Sequence, residues 1–306
     1  MNKILVLGAN GFLGSRLSIA MADRGYDVIA LVDRKVLYDS LKNKTNVQPI
    51  EFVLEEIEQL YDNVAFKDID TLYHLALAGV NANARNESDV QVQNVMSGLK
   101  VMEFANHHNI KRVIIPGSAA EVSCGDGVIT GCEIPTPSDM YSASKVATRY
   151  ICQTYSLKHN IELIWTLITS IYGPGRNDNN LISYAIQILL KGEIPSFTGL
   201  EQQWDYLHVD DLVTALILLG EKGIAGKVYP VGSGENRQIR EYVEIVRNLI
   251  NPSLPLGIGN LRYKNPDKID NQIIDITELR EDTGFTPEYD FNKGIAETIN
   301  YFRTKQ

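Results

Sequence analysis

The sequence predicts an α/β fold: a doubly wound parallel sheet with a smaller C-terminal α/β substrate lobe. Three observations carry that expectation. Lys3 to Leu7 is a short apolar run of the length of a buried parallel strand, and it leads straight into G-A-N-G-F-L-G at residues 8 to 14. Residues 13 to 24 carry Leu13, Leu17, Ile19, Ala20 and Met21 in a mostly helical pattern that Gly25 stops, and Asp27 to Val32 reads as a second strand ending at Asp33. The chain has 306 residues, which suits one large α/β unit with an appended lobe.

Gly8, Gly11 and Gly14 have separate tasks in a dinucleotide site: a tight turn, close backbone approach to a pyrophosphate, and close helix packing. A helix opening at Phe12 or Leu13 aims unpaired N–H groups at the diphosphate. The G-x-x-G-x-x-G spacing departs from G-x-G-x-x-G, and three spaced glycines also make ordinary structural turns. A strand before, a helix after and an acid at the end of the next strand are the context the fingerprint requires, and all three are present. This is a Rossmann opening, with Gly8, Asn10, Gly11, Phe12, Leu13 and Gly14 as candidate cofactor contacts. Asp33 stands near the position of the acid that takes a ribose 2′-hydroxyl, and its charge repels a 2′-phosphate. Arg34 follows and offers a phosphate contact instead. The expectation is NAD(P)(H), with NAD(H) favoured.

The formal net charge of −9, without a run of lysine or arginine longer than two, leaves no footprint for a nucleic-acid backbone. The longest apolar stretch, around Leu212 to Leu219, falls far short of the ~18 residues of a membrane span. Cys124, Cys132 and Cys152 form no C-x-x-C pair and fit reduced thiols in the cytoplasm. The histidines, His74, His107, His108, His159 and His208, lack metal-ligand spacing, so no metal is expected.

Further along, residues 47 to 53 suggest a third strand, Leu54 to Tyr61 a short acidic helix and Asp70 to Ala76 a fourth strand, with His74 read as a core or capped histidine. Val90 to His107 is a long helix with a wide apolar face, within which lies Asn94. Lys111 to Pro116 is a fifth strand that delivers G-S-A-A-E-V at its carboxyl end, where ligands bind in open α/β sheets. A loop from Gly125 to Pro137 precedes a helix carrying Tyr141 to Lys145. Ile161 to Thr169 is a strand, and Y-G-P-G-R at Tyr172 to Arg176 breaks the pattern. Residues 1–172 are therefore assigned to the dinucleotide-binding domain and 173–306 mainly to the second lobe. That lobe carries helices at Leu181 to Lys191, Val209 to Glu221, Ile239 to Ile250 and Phe291 to Phe302. A strand at Lys227 to Val231 is expected to return to the main sheet.

Tyr141 and Lys145, four apart on a helix, share one face. An ammonium near a phenol favours the phenolate and would draw its pKa down from ~10 toward the range of a general acid or base. Y-x-x-x-K also occurs by chance as a surface pair. Here it follows strand five, downstream of a dinucleotide fingerprint and of Ser118 at a strand end.

With these residues in place the chain resembles the extended short-chain dehydrogenase/reductases, in their branch of nucleotide-sugar epimerases, dehydratases and reductases. The matching motifs are G-A-N-G-F-L-G at 8 to 14, H-L-A at 74 to 76, Asn94, Ser118, Y-S-A-S-K at 141 to 145, Y-G-P-G at 172 to 175 and H-V-D-D at 208 to 211. The resemblance implies that Tyr141 exchanges a proton with a sugar carbonyl or hydroxyl while the nicotinamide exchanges a hydride with the same carbon. It implies that Lys145 holds the nicotinamide ribose, Ser118 hydrogen-bonds the substrate oxygen and Asn94 orders the proton relay, and it places Leu75 and Ala76 beside the cofactor. Asp210 and Asp211 are expected to cap and brace rather than react.

Ser118, Ala119, Ala120 and Glu121 bear on the reaction. Sugar 4,6-dehydratases resemble one another in Thr-Asp-Glu here, since eliminating water needs both an acid and a base. Ala120 leaves the Asp position empty. 4-Epimerases commonly place Ser or Thr at the position of Ala119, whereas reductases forming GDP-rhamnose show a pattern similar to Gly117 to Glu121. The C-terminal half, with Y-G-P-G at 172 to 175, a helix and T-G-L-E-Q-Q-W-D-Y-L-H-V-D-D at 198 to 211, is similar to CDP-abequose synthase, a 4-keto-sugar reductase. The expectation is a 4-ketoreductase of a nucleotide-activated 6-deoxy sugar serving glycan synthesis, with a 4-epimerase holding NAD as the alternative and a non-catalytic scaffold third. Candidate substrate contacts are Ser118, Glu121, Tyr172, Arg176, Trp204 and Arg237, Trp204 standing where the family usually has Arg. Apolar faces at 90 to 107 and 140 to 157 resemble the family's four-helix dimer interface, so a homodimer is expected.

Overall fold

A computed structural model describes residues 2–33, 39–79, 84–122, 127–176, 180–263 and 271–305. The elements are β1 (Lys3–Leu7), α1 (Phe12–Asp23), β2 (Asp27–Asp33), α2 (Asp39–Lys42), β3 (Val47–Phe52), β4 (Thr71–His74), α3 (Ser88–His107), β5 (Arg112–Ser118), β6 (Val128–Ile129), α4 (Met140–His159), β7 (Glu162–Ile168) and β8 (Ser170–Tyr172). There follow α5 (Leu181–Leu190), β9 (Gln203–Trp204), β10 (Tyr206–His208), α6 (Val209–Lys222), β11 (Val228–Val231), β12 (Arg237–Gln238), α7 (Ile239–Ile250), β13 (Ile273–Ile274), α8 (Thr277–Thr283) and α9 (Phe291–Arg303).

Seven strands form one parallel sheet in the order β11-β7-β5-β4-β1-β2-β3. The strand order reverses between β1 and β4, and a doubly wound sheet opens its ligand crevice at that reversal, outside the strands' carboxyl ends. Ile4 to Leu7 and Val28 to Val32 are buried throughout, as strands covered by helices on both faces must be. The strand expected at Lys227 to Val231 does return to this sheet, with Val228 paired to Trp165.

A second apolar cluster gathers Tyr172, Ile186, Phe197, Tyr242, Phe291 and Ile295. The chain passes between the two clusters repeatedly: α6, β11 and Leu279 pack on the main sheet although they follow Tyr172 in sequence.

Local differences from the sequence reading have physical causes. Leu54 to Leu60 forms 3-10 turns broken at Glu56 instead of a regular helix, because Ile57 alone of that acidic stretch is buried and one anchor does not hold several α-turns. The Gly125 to Pro137 segment contains β6, which pairs with the distant β13, and α8 carries too few apolar residues to show a period. Arg34 and Cys124 lie outside the described residues.

Candidate active site

The first glycine turn is built as a cradle. Gly8 has φ +78°, and a Cβ there would lie 2.7 Å from the Ala76 nitrogen and 2.9 Å from the Leu75 carbonyl carbon. Gly14 packs α1 against the turn so closely that a Cβ would sit 2.1 Å from the Gly8 carbonyl oxygen. Gly11 is the N-cap of α1, with no side chain capping the helix. The first N–H groups of the helix therefore point out beyond the strand ends, the geometry that receives an anion. Asn10 ties the turn to β2: its Nδ2 donates to the Asp33 carbonyl at 2.8 Å, and the Asp33 N–H donates to its Oδ1 at 3.1 Å. The Asp33 side chain is exposed at the end of β2.

Asn94 does not face open space as a free donor. Its Nδ2 donates to the Ala78 carbonyl at 2.9 Å, and the Ala78 N–H donates to its Oδ1 at 3.2 Å, so the amide clamps the loop after β4. Gln91, fully buried and one turn earlier on α3, extends this clamp. Its Nε2 donates to the carbonyls of Gly79 and Ala84, and its Oε1 accepts from Asn94 and from the Ser144 hydroxyl of α4. Sequence reading missed Gln91; the available signal was a polar side chain three residues before Asn94 on the same helix face.

Ser118 ends β5 and caps the 3-10 turn Ala119–Glu121. Glu121 is fully buried: its Oε1 accepts the Ser118 N–H at 2.9 Å and the Trp165 indole N–H at 3.1 Å, and Arg149 lies 3.6 Å from its Oε2. This corrects the expectation that Glu121 contacts substrate. Its carboxylate is turned into the fold, where it fixes the backbone that presents Ser118.

Tyr141 and Lys145 stand on α4, whose first turn is closed by a capping box between Asp139 and Ser142. The Lys145 ammonium donates to the Pro116 carbonyl at 2.6 Å. Burial pulls its pKa down to about 8, against the opposing charge of Glu121. Burial also raises the Tyr141 phenol, while the Ser118 hydroxyl and the Arg85 guanidinium oppose the rise and Glu121 and Asp139 add to it. The cation close to Tyr141 is Arg85, another residue the sequence reading missed. His74 is buried, and desolvation with the nearby Lys145 charge lowers it to about 3, so it is a neutral core imidazole.

Beyond this centre a cleft of about 310 Å³ is lined by Ser170, Arg176, Leu181, Gln202, Trp204 and Tyr206. Trp204 is half-buried and donates its indole N–H to the Ser170 hydroxyl at 3.0 Å, so it both packs and forms a wall. Arg176 donates to the Ile171 carbonyl. Arg237 pairs with Trp204 across β9 and β12 but turns its guanidinium to Glu235 at 2.9 Å, outside the lining of the cleft. Tyr172 is buried in the second cluster against His208 and Phe291, which corrects its assignment as a substrate contact. A larger groove, about 490 Å³, opens beside Tyr61, Phe66 and His107. It lies where the chain enters β4 and β5, the opposite edge from the ligand crevice of such a sheet.

The polar side chains of the H-V-D-D segment make contacts within the fold. Asp210 meets Arg16 of α1 at 2.7 Å, Asp211 accepts the N–H groups of Glu288 and Tyr289, and His208 caps α6.

Residues 4–232 match the model of the NAD dependent epimerase/dehydratase family. The chain belongs to this family. Relatives at low identity span the full length: a dTDP-glucose 4,6-dehydratase of Escherichia coli is 25% identical, covering 98% of this chain and 93% of the relative. GDP-L-fucose synthase 1 of Arabidopsis thaliana is 22% identical, with coverage of 98% and 93%. The structure of the UDP-glucuronic acid 4-epimerase from Bacillus cereus, solved with UDP-glucuronic acid and NAD, superposes with a TM-score of 0.86 at 21% identity, covering 99% of this chain and 100% of that one.

For an NAD dependent epimerase/dehydratase, the residues present fit the dinucleotide. A Cβ at Gly8 or Gly14 would collide with the backbone of Ala76 or Gly8 and spoil the tight turn, and the N-terminus of α1 carries no competing cap. Gly8 to Gly14 would hold the diphosphate, Asp33 the adenosine ribose, and Leu75 and Ala76 the floor beneath.

Proposed function

We propose that this enzyme reduces the 4-keto group of a nucleotide-activated 6-deoxy sugar, with Tyr141 as general acid. One observation carries the reading: among the described residues the Tyr141 phenol is the hydroxyl acid set against the Ser118 hydroxyl, and desolvation raises its pKa, so it stands protonated at neutral pH and ready to donate. Ala120 leaves the acid position of the dehydratases empty and Glu121 is turned into the fold, so neither supplies the second proton-transfer group that elimination of water requires.

In this reading NAD(H), when bound, supplies the hydride to C4 of the sugar. Tyr141 gives its proton to the C4 oxygen, and Ser118 donates a hydrogen bond that holds that oxygen in place. The carbonyl carbon gains the hydride, the oxygen gains the proton, and the C=O bond becomes a secondary alcohol. Lys145 anchors the nicotinamide ribose, and Asn94 keeps the loop after β4 in register with the glycine turn. Asp33 supports NAD(H) over NADP(H) through its exposed carboxylate. Residues 173–306 form mainly the nucleotide-sugar lobe, with Arg176 and Trp204 lining the substrate cleft. The exposed apolar side chains Val92 and Met96 on α3 and Tyr150, Ile151 and Leu157 on α4 support a homodimer through these helices.

The test is incubation with a panel of 4-keto sugar nucleotides and NADH. Stoichiometric oxidation of NADH is expected, lost by a factor of about 100 or more in Tyr141→Phe. A 4-epimerase is the second reading, favoured by the likeness to the Bacillus cereus enzyme. Retained NAD in the purified protein, with interconversion of two sugar nucleotides in the absence of added reductant, would establish it instead.

A further inference from the structure

Arg85 lies in the described turn ahead of α3 and reaches across to the start of α4. Its guanidinium carbon sits 4.2 Å from the centre of the Tyr141 ring, and its Nε donates to Asp139 Oδ2 at 2.7 Å. The other Asp139 oxygen, Oδ1, accepts the Ser142 N–H at 2.8 Å and the Ser142 hydroxyl at 2.7 Å. The guanidinium is therefore tethered to the helix cap two residues before the phenol, on a side chain only about one-third exposed. A cation over an aromatic face within about 6 Å of its centre is attracted to the ring and holds its rotamer.

We propose that Arg85 is the positioning residue of the acid–base tyrosine, holding the Tyr141 ring and supplying the positive charge beside its phenol. The inference rests on the reading of Tyr141 as the proton-transfer group.

Among the described residues, the groups that bear on the phenol come from several elements. The Ser118 hydroxyl at the end of β5 and Arg85 from the turn before α3 favour the phenolate; Glu121 in the 3-10 turn and Asp139 at the start of α4 disfavour it. Removing Arg85 must then raise the titration midpoint, and a cation restored at that position must bring it back. A merely structural role gives no such rescue by charge.

The experiment follows the ring carbon of Tyr141 by carbon-13 NMR in the intact chain, the resonance being assigned by its loss in Tyr141→Phe. Arg85→Gln is expected to raise the midpoint by about one pH unit, the lower end of the effect of a charge within ~4–6 Å. Arg85→Lys keeps the charge and is expected to return it toward the wild-type value. An unchanged midpoint in Arg85→Gln, or a midpoint that Arg85→Lys leaves as high as Arg85→Gln does, overturns the proposal. Should Arg85→Gln fail to fold, Arg85→Met against Arg85→Lys carries the same test. Turnover that persists in Tyr141→Phe would instead remove Tyr141 as the proton donor, a failure distinct from that of Arg85 because the titration reads the phenol directly.

Discussion

Lys145 holds its ammonium 2.6 Å from the Pro116 carbonyl oxygen, inside a fold that leaves the lysine almost no contact with water. One bond to a neutral carbonyl does not replace the hydration of a full charge, which is why its pKa falls from 10.5 to about 8. The folded state binds this proton less tightly than the unfolded chain does, so the penalty is complete below pH 8 and fades as the pH rises from 8 toward 10.5. The shift corresponds to about 3 kcal/mol. Denaturant unfolding of wild type and Lys145→Met, at neutral pH and near pH 10, should show wild type gaining stability relative to the variant with rising pH. A difference that is flat with pH contradicts the depressed pKa.

Gly14→Ala should be among the most damaging conservative changes in the protein. The added methyl meets the Gly8 carbonyl oxygen at 2.1 Å, and the neighbour is backbone, which cannot rotate away. The expected cost is about 1–3 kcal/mol of stability, together with loss of dinucleotide binding. Thermal melts and NAD titration by fluorescence check both; a variant that melts and binds like wild type would show that the turn relaxes freely.

Asn94→Ala removes both hydrogen bonds to Ala78. Ala78 is exposed, so water takes over its backbone groups, but the buried bond to Gln91 Oε1 is lost as well, and a destabilisation of about 1 kcal/mol is expected. The loss should also appear in function, as cofactor affinity about tenfold weaker, because the loop after β4 packs against Gly8 and is freed. Calorimetric titration decides between this outcome and an inert amide.

Asp33→Ala should lower the ratio of kcat/KM for NADH to that for NADPH by about tenfold, because the carboxylate both accepts from a ribose hydroxyl and repels a 2′-phosphate. An unchanged ratio would show that Asp33 does not discriminate.

Local patterns determined much of this protein without any structure. The apolar run at Lys3 to Leu7, the glycines at 8, 11 and 14, the helix ending near Gly25 and the returning strand near Val231 are recorded in neighbouring residues, and each reappears at nearly the same bounds. Parallel strands covered on both faces have to be short and uniformly apolar, and a strand-to-helix turn that close has to be glycine, so sequence and structure agree there by necessity. Tyr141 and Lys145 were legible for the same reason, being one helical turn apart. What the spacing left open was which partner each side chain takes, because those partners come from distant segments. Lys145 turns to Pro116, Glu121 to Trp165 and Arg149, and Asn94 to Ala78. Arg85, unremarkable in sequence, reaches the Tyr141 ring only because α3 and α4 pack side by side, with Gly98 against Thr148 at their crossing. The same packing turned Tyr172 into the second cluster and left Trp204 facing the cleft. Burial and charge in this site are sums over several chain segments brought together by the sheet, and no window of sequence contains that sum.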